Sequence, residues 1–173
     1  EWYDVQTHLI GSYNIYNMLA AATIGRYFNI APDAICNALA SYEPANNRSQ
    51  LTETEHNHLI VDAYNANPTS MAAALRNFRD MQVKPKMAIL GDMRELGESS
   101  GEEHQKVVDF LSEAGLTNTW LVGESFAKTN TTLRKFADID EVKSAIAENQ
   151  PQGYYILIKG SNGIKLYQLP EIP

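Results

Sequence analysis

Apolar residues follow two different rhythms along this chain. In the first forty positions they recur at helical spacing. Ile15, Met18, Leu19 and Ala22 fall at i, i+3, i+4 and i+7, and Ile35, Ala38, Leu39 and Tyr42 repeat the figure. Side chains so spaced share one face of a 3.6-residue turn, so two helices are predicted. Pro32 suits the first turn of the second helix, where a missing N–H costs nothing. Residues 43–50, EPANNRSQ, then break the pattern with proline, asparagine and arginine, and a boundary is placed there.

Beyond the break, short solid apolar runs alternate with helical stripes. HLIVD (58–62), KMAIL (86–90), TWLV (119–122) and YYILI (154–158) read as strands. Between them, Met71, Ala74, Leu75 and Phe78 form a helical stripe. His104, Val107, Val108 and Leu111 form another, and Val142, Ala145 and Ile146 mark a third. Strands that are apolar throughout must be covered on both faces, which points to βαβ units in a mostly parallel α/β sheet. Right-handed crossovers then bring the strand ends to one edge. SQLTETE (49–55) is predicted to add a short edge strand. There is no internal repeat.

Composition narrows the class. An apolar fraction of 44% with 20% charged residues describes a globular chain, not a disordered one. The formal charge of −7 argues against a nucleic-acid surface or a polybasic membrane patch. No window approaches the roughly 18 to 20 apolar residues of a membrane span, and no charged-then-apolar leader is present. Cys36 is the single cysteine, so no internal disulfide can form and a reducing, cytoplasmic location is expected. In that setting the glycosylation-like triplets at Asn47 and Asn130 read as chance. A first residue of Glu1, not Met, suggests a fragment or processed chain.

Chemistry is expected beyond the carboxyl ends of parallel strands. Those positions are Asp62-Ala63-Tyr64-Asn65, Gly91-Asp92-Met93-Arg94-Glu95, Gly123-Glu124-Ser125 and Lys159-Gly160-Ser161-Asn162-Gly163. All are polar, and three carry glycine, which allows backbone to approach a ligand closely. Asp62 has two readings, a cap for nearby N–H groups or an acceptor for ribose hydroxyls or a ligand amine. Asn67-Pro68 fits an N-cap followed by the first helical position. Ser100 with Glu103, or Ser99 with Glu102, fits a capping box. Lys159 is either a surface lysine or a fixed cation facing a carboxylate or phosphate. Arg48 is either solvated or a phosphate clamp. KGSNG lacks the order of a Walker motif. His56 and His58 alternate on one strand face, but no third ligand has suitable spacing and no metal site is expected. His104 reads as a satisfied, half-buried histidine, and Cys36 has no base candidate nearby.

Four segments carry a family resemblance. They are GSYNIYNMLAA (11–21), PANNRSQ (44–50), the pair DAYNANPTSM (62–71) and ILGDMRELGESS (89–100), and ILIKGSNG (156–163). In this order they resemble the C-terminal part of the Mur ligases, and the middle pair is characteristic of the D-alanyl-D-alanine-adding branch. Tyr13 stands where the family has histidine, and Asn162 where arginine is usual.

The resemblance implies a helical end of the central ATPase domain over 1–43 and a Rossmann-like C-terminal domain over 44–173. It implies an ATP- and Mg²⁺-dependent ligase whose P-loop and metal carboxylates lie upstream, with no metal held here. ATP would phosphorylate the carboxylate of a UDP-N-acetylmuramoyl-tripeptide, and the amine of D-alanyl-D-alanine would attack the acyl phosphate. Asn14 and Asn17 would lie near adenine, Arg48 near the phosphates and Asp62 near the ribose. Tyr64, Asn65 and Asn67 would face the meeting point of dipeptide and acyl phosphate, with Asp92, Lys159 and Ser161 on the dipeptide side. No residue is an obvious general base, so positioning and charge stabilisation are expected to carry catalysis. A monomer is expected. A sibling ligase with another amino-acid acceptor, or a non-catalytic binding or receiver-like module, would share the strand pattern.

Overall fold

The computed structural model describes residues 2–9, 11, 14–43 and 50–171. Tyr13, Arg48 and most of the 43–50 break lie outside them. The predicted helical pair is present as α1 (Asn14–Tyr27) and α2 (Pro32–Ser41), with Pro32 opening the second. The two helices pack on one another at Gly25, where a Cβ would stand 2.9 Å from Ile35 Cδ1.

The remainder is a six-stranded sheet. Its strands are β1 (Gln50–Glu53), β2 (His58–Asp62), β3 (Lys86–Gly91), β4 (Thr119–Val122), β5 (Arg134–Phe136) and β6 (Tyr155–Lys159), in spatial order β1-β2-β6-β3-β4-β5. Among the described residues only the edge pair β1–β2 is antiparallel. Helices α3 (Pro68–Asp80), α4 (Ser100–Glu113), the four-residue α5 (Glu124–Ala127) and α6 (Ile139–Glu148) connect the strands. The last residues, Leu166–Glu171, form a 3₁₀ segment.

Successive strand side chains point to opposite faces, and the inner strands β2, β3, β4 and β6 feed two cores. Ile60, Ala88, Leu90, Leu121 and Leu157 join Met71, Leu75 and Phe78 of α3, Val107, Val108 and Leu111 of α4, and Phe126 of α5. Leu59, Val61, Met87, Ile89, Trp120, Val122, Ile156 and Ile158 pack on the other face with Ile139, Val142 and Ala145 of α6 and with Leu166 and Leu169. Two covered faces account for runs without polar alternation.

Three expectations need correction. His56 lies in the turn before β2, where Thr54 Oγ1 accepts from the His56 and Asn57 backbone N–H groups. Only His58 is on the strand, stacked on Tyr155 at 4.4 Å between ring centroids, so the two do not share a strand face. Neither predicted capping box forms at α4, because residues Gly97–Ser99 already wind into a 3₁₀ turn. Ser99 Oγ donates back to Leu96 O instead, and Ser100 Oγ meets Ser125 Oγ. His104 is not half-buried: it is enclosed completely.

Candidate functional site

Polar residues converge where β2, β6, β3 and β4 end. In the parallel register Asp62 stands beside Lys159, so β2 and β6 deliver opposite charges to the same point. Lys159 Nζ donates to Asp62 Oδ2 at 2.6 Å and to the Asn65 carbonyl at 3.2 Å. The lysine is 1% exposed, so its charge depends on those oxygens in place of water. Removing either partner would leave a poorly hydrated charge at the sheet edge. Asp62 keeps some solvent contact, and its Oδ1 has no hydrogen-bond partner among the described residues.

The same brace shapes the loop that follows. Ala63 and Ala66 are buried, while Tyr64, Asn65 and Asn67 between and beyond them turn outward. Asn65 Oδ1 accepts from the Ala66 N–H at 2.8 Å. Asn67 is the expected N-cap of α3: it accepts from Ser70 N, and Ser70 Oγ accepts from Asn67 N. Serine at that position completes a reciprocal box more often built with glutamate or glutamine.

Asp92 is turned inward. Its Oδ2 accepts from Ser125 N and its Oδ1 from Phe126 N, both at 2.9 Å, which satisfies the first N–H groups of α5. Gly123 makes room for it. That residue sits at φ 120, and a Cβ there would lie 2.4 Å from the Asp92 carboxyl carbon. Behind Asp92, His104 Nε2 accepts from Met93 N at 3.0 Å, which places the ring proton on Nδ1, 2.7 Å from the Ser100 carbonyl. The 3.6 Å approach of that Nε2 to Asp92 is therefore not an ion pair. Ser161, also buried, ties three loops together. Its N–H donates to Asp92 O, its Oγ accepts from Arg94 N at 2.9 Å, and the same hydroxyl donates to Ala66 O at 3.5 Å.

The structure thus brings Asp62, Tyr64, Asn65, Asn67, Asp92, Lys159 and Ser161 to one edge. Asn14 and Asn17 instead lie on the first turn of α1, linked to each other by a 3.0 Å hydrogen bond. Beside the pinned residues opens a cleft of about 840 Å³, lined by residues 92–97, 100, 123–125, 137–140 and 163–165. Arg94, Glu95, Glu124 and Lys165 are exposed on its walls. Reading the strand-terminal residues singled out Asp92 and Lys159. It did not separate those held inward from neighbours one or two positions on that reach the cleft. Among the described residues no group of three or more His, Cys, Asp or Glu could hold a metal ion, and no helix is long and apolar enough to cross a membrane.

Residues 47–162 match the family described as Mur ligase, glutamate ligase domain. The chain belongs to the Mur ligase family. Among the proteins this Mur ligase chain is similar to is the UDP-N-acetylmuramoyl-tripeptide--D-alanyl-D-alanine ligase of Escherichia coli (strain K12). It is 33% identical over 174 residues, spanning 96% of this chain and 38% of that enzyme. The UDP-N-acetylmuramoylalanyl-D-glutamyl-2,6-diaminopimelate--D-alanyl-D-alanyl ligase from Acinetobacter baumannii superposes with a TM-score of 0.83 at 28% identity. That match covers 96% of this chain and 37% of the other. The MurF ligase from Thermotoga maritima in complex with ADP shares the fold, with a TM-score of 0.78 at 22% identity over 95% of this chain and 38% of its own. The Mur ligase chain therefore spans well under half the length of the relatives it matches.

Proposed function

We propose that this chain is the acceptor side of an ATP-dependent ligase that adds D-alanyl-D-alanine to UDP-N-acetylmuramoyl-tripeptide during cell-wall precursor synthesis. In this reading residues 1–43 end a central ATPase domain and 44–173 form the C-terminal domain. The protein works as a cytoplasmic monomer. The observation that carries the reading is the braced DAYNAN loop. The buried Lys159 holds Asp62 and the Asn65 carbonyl, so Tyr64 and Asn65 are presented outward at the sheet edge. The receiver-like alternative loses its second acid, because both Asp92 oxygens are occupied as a helix cap.

ATP supplies activation of the tripeptide carboxylate as an acyl phosphate. The residues present fit part of its recognition. Asp62 Oδ1, which has no hydrogen-bond partner among the described residues, can accept from ribose hydroxyls, and Asn14 and Asn17 carry amide groups suited to adenine. Arg48 is assigned to the phosphates, and Mg²⁺ to the part of the enzyme upstream. The dipeptide amine attacks the acyl carbon, a C–N bond forms, the C–O bond to phosphate breaks, and the amine proton passes to solvent or the departing phosphate. The described residues contribute by position: Tyr64 and Asn65 flank the reacting ends, and domain closure would exclude water.

Phosphate release by the full-length enzyme tests this. Release is expected only when ATP, UDP-tripeptide and dipeptide are all present, and the 173-residue chain alone should release none. Faster release with single amino acids than with the dipeptide would overturn the acceptor. Turnover by the chain alone would overturn the need for upstream domains.

A further inference from the structure

The geometry points to Arg94 as the receptor for the free carboxylate of the acceptor dipeptide, an assignment that rests on the proposed function and deepens it. The acceptor amine must stay free to attack, so the carboxylate is the handle by which a dipeptide can be held. Both strand-terminal charges are already engaged, Lys159 by Asp62 and Asp92 by the α5 backbone. Among the described residues Arg94 is a cation at this edge whose backbone is fixed and which has no carboxylate partner. Its backbone N–H is fixed on Ser161 Oγ at 2.9 Å. Its guanidinium lies against the β6 loop, where a Cβ at residue 163 would stand 2.5 Å from Cζ and Nη1. Nη2 reaches the Gly163 carbonyl at 3.5 Å, and no carboxylate pairs with Arg94 among the described residues. A planar guanidinium with most donors unused matches a carboxylate in a bidentate fork.

Two further observations place the ligand in the adjoining cleft. Of three non-glycine residues with left-handed backbone among those described, Glu95 at φ 65 and Lys165 at φ 63 both line it. Such strain tends to persist where a site needs it. Lys165 adds a second exposed cation beside Arg94. The Arg94 N–H, the Ser161 hydroxyl and the Ala66 carbonyl also form one chain of hydrogen bonds, so Arg94 is linked in register to the Tyr64–Asn65 loop. β2 and β3 are two strand spacings apart with β6 between, about 10 Å. An extended dipeptide spans about 7 Å. Tyr64 and Asn65 do not line the cleft, so a dipeptide whose carboxylate sits on Arg94 has to extend out of it across the β6 loop, where the guanidinium lies, for its amine to approach them.

Steady-state kinetics of the full-length enzyme with Arg94→Ala and Arg94→Lys test the assignment. Arg94→Ala should raise the KM for D-alanyl-D-alanine roughly 10- to 100-fold, with KM for ATP and for UDP-tripeptide unchanged. Arg94→Lys, which keeps charge but loses the fork, should fall between. D-alanyl-D-alaninamide, which lacks the carboxylate, should be a poor substrate for wild type and no poorer for Arg94→Ala. An unchanged dipeptide KM in Arg94→Ala, or equal losses for all three substrates, overturns the assignment while leaving the function intact. Wild-type enzyme that releases no phosphate with the dipeptide overturns the functional reading, and this assignment with it.

Discussion

The two parts of this chain treat the same kind of residue in opposite ways. In the helical pair, Ile15, Leu19, Ile24, Tyr27 and Phe28 are at least half exposed. In the sheet domain, Leu75, Phe78, Leu111, Leu121 and Phe126 are 0 to 1% exposed. Both parts have periodic apolar residues, and both form the elements that the periodicity predicts. They differ in what lies opposite. A helix hydrophobic on several sides needs more than one partner, and α1 and α2 have chiefly each other. The inner strands β2, β3, β4 and β6 have an apolar layer on each face. Periodicity sets the local structure, and burial follows only where a second apolar surface is available.

That contrast can be broken by experiment. Leu121→Ala should destabilise the sheet domain most, by about 4 kcal/mol, since it empties a site shared by strand and helix packing. Leu19→Ala should change the unfolding free energy from the same denaturation experiment by less than about 0.5 kcal/mol. Equal effects would erase the distinction. Lys159→Met comes next, at about 3 kcal/mol, the low end for breaking a buried pair because Asp62 retains solvent contact. Adding Asp62→Leu should recover much of that loss, and a double-mutant cycle showing strict additivity would refute the brace. Gly123→Ala should cost about 2 kcal/mol by forcing a Cβ against Asp92 from a backbone conformation that disfavours it. Unchanged thermal melting would show that the Asp92 cap can move aside.

The smallest effect belongs to the surface of α4. Hydrogen bonding and charge from Lys106 hold the Glu102 carboxyl below its ordinary range. A depressed carboxyl contributes stability above its unfolded pKa and loses it as pH falls through the lower folded value. Lys106→Gln should therefore flatten the acid side of the stability profile slightly, an effect that salt removes because the pair is fully exposed. A difference that survives high salt would point to a role beyond this pair.

Much of the sheet domain was readable beforehand. HLIVD and TWLV are strands at the predicted bounds, and the SQLTETE edge strand forms over Gln50–Glu53. β5 went unseen because RKF is three residues long, sits at an edge and carries two charges. α4 does start after Ser99, as one of the two expected registers has it, but no capping box forms, because serine and glutamate spacing fits a cap equally well whether or not a 3₁₀ turn precedes it. At the candidate site, the strand-end rule located the right edge but not the direction each side chain takes.

Alternating apolar runs and stripes, DAYNANPTSM and KGSNG determined by themselves the α/β class, the edge where chemistry collects and the family resemblance. Local spacing and short-range chemistry suffice for those. Only the tertiary structure decided that Lys159 reaches back to Asp62, that Asp92 turns inward to cap α5, and that Gly163 leaves room for the Arg94 guanidinium. Each depends on contacts between residues from about 30 to nearly 100 positions apart, set by strand order and register, which no local pattern encodes.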